Sequence, residues 1–275
     1  MLKMKTQRLA AVVLAALLFS VTAAAAEKIS RNEKAQALYD KALAALHESV
    51  ERESLLKAIG WLEEAGRLDP GNEEIQIQLS WRYWMAGEYL PKESKEEREE
   101  RLRWFEKGQA AGEKAMALNP KSVGGIYWST VNLAAAGEMK GVLSSLMLAG
   151  TLFGNMSRVD RRDPYYLYGA TRRFGSEVLI RVPTFLTSRF GFKHEYTVED
   201  LEWNIERWPN YFDNYVFLAR VHWWAGEREQ ALQRLEFVLG HDPVIFPEEK
   251  AENALQQKMA RGLWKEWTGK DYPER

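Results

Sequence analysis

The segment Tyr215-Val216-Phe217-Leu218-Ala219-Arg220-Val221-His222, continued by Ala231-Leu232-Gln233-Arg234-Leu235, Val238 and Pro243, decides how this chain folds. Large residues recur at helical spacing in both halves, so both read as amphipathic helices. Gly226 stands between them, where a turn is needed. Ala219 and Ala231 are small enough to let two antiparallel helices approach closely, while the large residues fill the space between neighbouring pairs. Proline cannot continue a helix, so Pro243 ends the unit.

The same punctuation runs back along the chain. Asp69-Pro70, Asn119-Pro120, Asp163-Pro164, Trp208-Pro209 and Asp242-Pro243 are separated by 50, 44, 45 and 34 residues. The last interval equals the tetratricopeptide period. Ahead of Pro70 lies the same second-helix spacing, Ala58, Leu62 and Ala65, and after it Leu79 and Tyr83 mark a new first helix. Gly87, Gly137 and Gly226 each follow a proline by 17 residues and are expected at the turns within the pairs. The fold expected is all-α: a tetratricopeptide-like helical repeat array (α-solenoid) of about four to five helix pairs plus a C-terminal capping helix.

Longer intervals read as insertions. Pro91–Arg101 is a charged run in which Ser94 and Glu97 form a capping box, predicting the start of a long helix with a solvated face. Gly108, Gly112 and Ala115 then form a small-residue stripe, read as close helix packing. Across Gly141–Val159, Leu143, Leu146, Met147, Leu148, Leu152, Phe153 and Met156 surround the helix, predicting burial within the array or at a subunit interface. Pro183–Asp200 reads as an ordered loop with Phe185, Phe190, Phe192 and Tyr196. Pro247–Trp267 reads as a final amphipathic helix with Leu255, Met259, Leu263 and Trp267 on one face.

At the N-terminus, Lys3, Lys5 and Arg8 precede the uncharged run Leu9–Val21 and the small residues Thr22–Ala26. This three-part pattern is that of a secretory signal, with cleavage expected near Ala26. The organisation expected is a signal peptide over 1–26 and a single repeat domain over 27–275, in the periplasm. The chain has no cysteine. That excludes disulfides and zinc–thiolate sites, and it leaves no residue for bacterial lipidation, so the mature protein is expected to be untethered. Thirty-eight basic and 39 acidic residues nearly cancel, which gives no electrostatic basis for binding nucleic acid.

Chemistry-bearing motifs are missing from the sequence. None of His47, His194, His222 and His241 belongs to an H-E-x-x-H or Cys/His pattern, so spacing supports no metal, and His222 reads as a packing histidine. G-x-S-x-G, P-loop and dinucleotide fingerprints are absent. The expectation is a binding protein, not an enzyme, without cofactor or metal. Phased on the prolines, the concave face carries Trp81 and Trp84, then Tyr127, then Tyr168, then Arg220, Trp223 and Trp224. A face so aromatic suits an apolar or amphipathic ligand, or an aromatic-anchored partner, better than a charged peptide tail. Several of these rings read equally as core.

Two motifs carry a resemblance. Tyr127-Trp128-Ser129-Thr130-Val131-Asn132-Leu133 with Met139-Lys140-Gly141-Val142 is one. The other is Asp163-Pro164-Tyr165-Tyr166-Leu167-Tyr168-Gly169-Ala170 with Arg172, Arg173 and Gly175. Over roughly Ala58 to Pro243 the chain resembles the T component associated with TRAP transporters. The resemblance implies a periplasmic helical protein that forms a homotrimer, partners a periplasmic solute-binding protein and holds a small apolar ligand in a cleft and pore. It also implies that Tyr127, Asn132, Tyr166, Tyr168 and Arg172 line the cavity. Members of that family are typically lipoproteins, and here this sequence departs from them. The competing expectation is a general cell-envelope scaffold that docks other proteins.

Overall fold

The computed structural model describes residues 28–90, 93–182 and 193–273, without the side chains of 142–146. The expected signal segment, Pro91, and Phe185, Phe190 and Phe192 lie outside these residues. Among the described residues eleven helices follow one another: α1 Glu33–Glu48, α2 Arg52–Leu68, α3 Glu73–Glu88, α4 Lys95–Leu118, α5 Val123–Lys140, α6 Val142–Arg162, α7 Ala170–Arg181, α8 His194–Arg207, α9 Phe212–Ala225, α10 Arg228–Gly240 and α11 Lys250–Thr268. Two short 3-10 turns, Pro243–Ile245 and Pro247–Glu249, lead into α11. Consecutive helices pack on each other, α3 also touches α5, and no strand occurs among the described residues. The protein is therefore an all-α helical repeat array, which over the described residues consists of five pairs followed by a single helix.

The proline turns show why the pairs begin where they do. Pro70 and Pro120 stop α2 and α4 from continuing, and two residues later a polar side chain caps the next helix. Asn72 Oδ1 accepts from the Ile75 amide at 3.1 Å, and Ser122 Oγ from the Gly125 amide at 2.9 Å. Such caps satisfy amides that the first helical turn leaves unpaired. Ser94 and Glu97 form the expected reciprocal box at the head of α4.

Small residues set the helix spacing. A Cβ on Gly112 would meet the Ser129 backbone amide at 2.7 Å, and one on Gly108 would collide with the Asn132 side chain. The stripe is thus the α4–α5 contact. Two of the three spaced glycines differ from the expectation of turns. Gly226 does end α9, at φ +84°. Gly87 instead lies inside α3, where a side chain would strike the Phe105 ring, and Gly137 is buried inside α5, which ends at Gly141.

Three other expectations are corrected. The described part of α6 is buried on one side only: Leu152, Met156 and Val159 face inward, while Met147 is 79 % exposed and Gly150, Thr151 and Gly154 lie open. The second half of the expected loop at 183–200 is helical, because α8 starts at His194. In α11 Leu255, Leu263 and Trp267 pack on the core as expected, but Met259 is exposed, and the most buried positions are Ala251, Asn253, Gln256 and Ala260. That helix does more than cover the last pair. It packs on α9, α10 and α1, with Ala251 and Leu255 joining the core of the first two pairs. Lys250 and Lys258 reach Glu48 and Glu51 beside α1 and α2. The array is bent so that its two ends meet across α11.

Candidate functional site

The first wall of the interior is aromatic and comes from α3 and α5. Trp81 stacks on Trp128 with ring centroids 5.0 Å apart and planes 12° apart, and Trp84 tilts against the same ring at 5.5 Å. Tyr127 meets Trp128 and Tyr166 edge-on at 5.0 and 5.4 Å. Each such pair contributes about 0.5–1.5 kcal/mol beyond its burial. Four of the expected site residues, Trp81, Trp84, Tyr127 and Tyr166, are therefore brought together. Trp81 and Trp84 keep part of their surface, whereas Tyr127 is buried.

Tyr166 and Tyr168 are aimed by an irregular turn between Asp163 and α7. Leu167, Tyr168 and Gly169 have φ of +44°, +59° and +82° in succession. Side chains other than glycine rarely adopt this region, so the turn has to be held from outside. Arg173 holds it. Its two terminal nitrogens donate to the carbonyls of Leu167 at 2.6 Å and Tyr168 at 2.8 Å, and one of them also donates to Asn214 Oδ1 at 2.8 Å. Its Nε is 2.8 Å from Asp213 Oδ2. Burial pushes the Asp213 carboxyl up to about 6 against the pull of Arg173. Burial works most strongly against the charge on Arg173, but Asp213 together with Tyr211, Tyr127 and Glu252 raises the guanidinium. Thus fixed, Tyr168 donates to Glu249 Oε1 at 2.9 Å and packs on Trp208, Tyr211 and Phe246.

Unlike Arg173 and Asp213, three further charged groups in this interior are not neutralised by contact. Arg82 is 6 % exposed and lies flat over the Trp81 ring, 3.6 Å from its centre. Its terminal nitrogens meet only Met85 Sδ and Gln78 Oε1, each at 3.2 Å, and its Nε has no partner. Among the described residues no carboxylate lies within 4.0 Å of it. Burial lowers its pKa to about 10, opposed first by the field of Glu252 and then of Glu249. Glu252, on α11, accepts only from Gln256, at 3.0 Å. Burial raises the carboxyls of both Glu252 and Glu249. Besides the Arg173–Asp213 pair, the interior thus presents a buried cation without a contacting acid and two reluctant acids beside a wall of indoles.

The other expected site residues lie elsewhere. Asn132 is fully buried in a helix contact: its amide donates to the carbonyls of Ser80 at 3.0 Å and Trp128 at 2.8 Å. Arg172 faces an open cleft of about 330 Å³ between α6, α7 and α8. There it lies over Trp203, 3.8 Å from the ring centre, between Asp160 and Asp200. Arg220 pairs with Glu177. Trp223 is stacked between Trp267, at 4.4 Å, and the Arg228 guanidinium, at 3.6 Å. Trp224 is 39 % exposed on the surface. Of these, Arg220, Trp223 and Trp224 share a helix face in the repeat phase, but Trp223 is taken up by Trp267 of α11 and Arg220 by Glu177.

Sequence reasoning missed Arg82, Trp128, Arg173, Glu249 and Glu252 as a group. An arginine between Trp81 and Trp84 was a usable signal; the acids were not legible, because their position depends on where α11 docks. No family model matches the chain, and comparison with curated proteins finds no significant relative. Among the described residues, no helix is long and apolar enough to cross a membrane.

Proposed function

We propose that this chain is a non-enzymatic, tetratricopeptide-type binding protein of the periplasm that serves TRAP-type solute uptake. In this reading it holds a small ligand with an apolar body and a polar end, and meets a periplasmic solute-binding protein. One observation carries it: Arg82 and Glu252 lie in the interior without oppositely charged contacts, beside the cluster of Trp81, Trp84 and Trp128. Leaving a charged group buried without a partner is costly, so a fold that retains it has a use for it. A ligand's polar end gives that group a partner, and its body covers the indoles. The reading includes a homotrimer; the outward side of α6, open at Met147, Gly150 and Gly154, supports a contact between copies.

Native mass spectrometry of the purified protein tests this. A retained small molecule, lost in Arg82→Met, together with a threefold assembly mass, is the expected result. A ligand-free monomer that ignores solute-binding proteins but captures extended peptides would overturn it in favour of an envelope scaffold.

A further inference from the structure

A second cluster lies away from this interior, at the corner where α9 turns into α10. Gly226 ends α9 with a left-handed residue, and two backbone hydrogen bonds close the corner: Gly226 N–H to Trp223 O at 3.1 Å, and Glu227 N–H to His222 O at 2.9 Å. This is the Schellman arrangement, which sets the side chains of His222 and Glu227 against each other. An apolar pair ordinarily fills that place. Here an imidazole and a carboxylate do, with Glu227 Oε2 2.6 Å from His222 Nδ1. The first residue of α8 brings a third group, His194, whose Nε2 is 3.3 Å from the same oxygen.

Three features set the cluster apart from a surface ion pair. His222 is 6 % exposed, and the buried Nε2 atoms of both His222 and His194 make no hydrogen bond among the described residues. Both ion pairs found for Glu227 among the described residues are to these two imidazoles, so no lysine or arginine competes for it. One donor atom from each of the three residues lies within 4.8 Å of the other two.

We propose that His194, His222 and Glu227 bind a first-row divalent transition metal, with zinc as the best-matched ion. Two imidazoles and one carboxylate are a ligand set that zinc takes at about 2.0–2.2 Å per bond. Donors around such an ion stand roughly 3.2–3.6 Å apart. The His194–Glu227 separation already meets this, and the His222–Glu227 pair has to open by under about 1 Å as its hydrogen bond is exchanged for metal bonds. Three protein ligands leave a coordination position for water or for a fourth group. The ion would tie the start of α8 to the far end of α9, the next helix along the chain. Zinc-type spacing is absent from the sequence because His194 arrives from another helix pair.

Tag-free full-length protein, stripped with chelator, is titrated with ZnCl2 by calorimetry, and with CoCl2 followed by visible absorption. The expected result is one ion per chain, a rise in Tm with zinc, and affinity at least about tenfold weaker in both His194→Ala and Glu227→Ala, with His241→Ala unchanged. His194 and Glu227 are partly exposed, so these variants retain the buried imidazole and are expected to fold, as circular dichroism will show. Absence of saturable binding below about 1 mM, or affinity unchanged in His194→Ala and Glu227→Ala, overturns the proposal.

Discussion

At Leu167 and Tyr168 the backbone takes values that the sequence does not announce, because glycine and asparagine are the residues expected there. Arg173 explains how the turn survives: it satisfies both carbonyls and pairs with Asp213 inside the protein. Arg173→Met should remove about 3–5 kcal/mol of stability in urea unfolding, since Asp213 would be left buried and unpaired. Gly169 is the third left-handed residue, and a Cβ there would collide with Asn204. Gly169→Ala should therefore lower Tm strongly, by the equivalent of roughly 2 kcal/mol or more. If Tm is unchanged, the account of this turn fails. The motif around Asp163-Pro164 was legible as special, but its roles were not. Arg172 was expected at the cavity, whereas the neighbouring Arg173 performs the buried work.

At the scale of elements, what is set locally was readable. The prolines, the Ser94–Glu97 box and the Gly108–Gly112–Ala115 stripe act within a few residues or across one helix contact, and each does what the sequence predicts. Gly112→Leu should destabilise the protein by about 1–3 kcal/mol or prevent folding, because the obstacles are Ser129 Cβ and the Ser129 backbone, which cannot rotate aside. Chemical denaturation measures it, and wild-type stability would refute the close-contact role. What depends on docking was not readable. The buried side of α11 was misjudged because it includes Asn253, whose Oδ1 accepts from the Phe212 amide at 3.0 Å and so caps α9, which lacks a capping side chain of its own. Hydrophobicity alone assigns such a polar residue to the solvent. Asn253→Leu, which keeps approximate size but removes the acceptor, should cost about 1–3 kcal/mol by the same measurement.

For the whole molecule, the docking of α11 controls the charge of the interior. Glu249 and Glu252 hold their protons more tightly when folded than their ordinary value of 4.5, because burial disfavours the carboxylate. Their contribution to stability is therefore complete below that value and is lost as pH rises through the raised folded values. Glu252→Gln should gain stability relative to wild type as pH is taken from about 4.5 toward neutrality, read as urea midpoints across that range. A wild-type–variant difference independent of pH would contradict this. The same helix has a consequence in time. Helix pairs of a repeat array can form from near neighbours, but the Lys250–Glu48 and Lys258–Glu51 contacts join positions 202 and 207 residues apart. Such separations slow the search. A ribosome delivers α11 after the ten other described helices, so the nascent array remains an open arc, uncovered around Arg82, until that helix emerges.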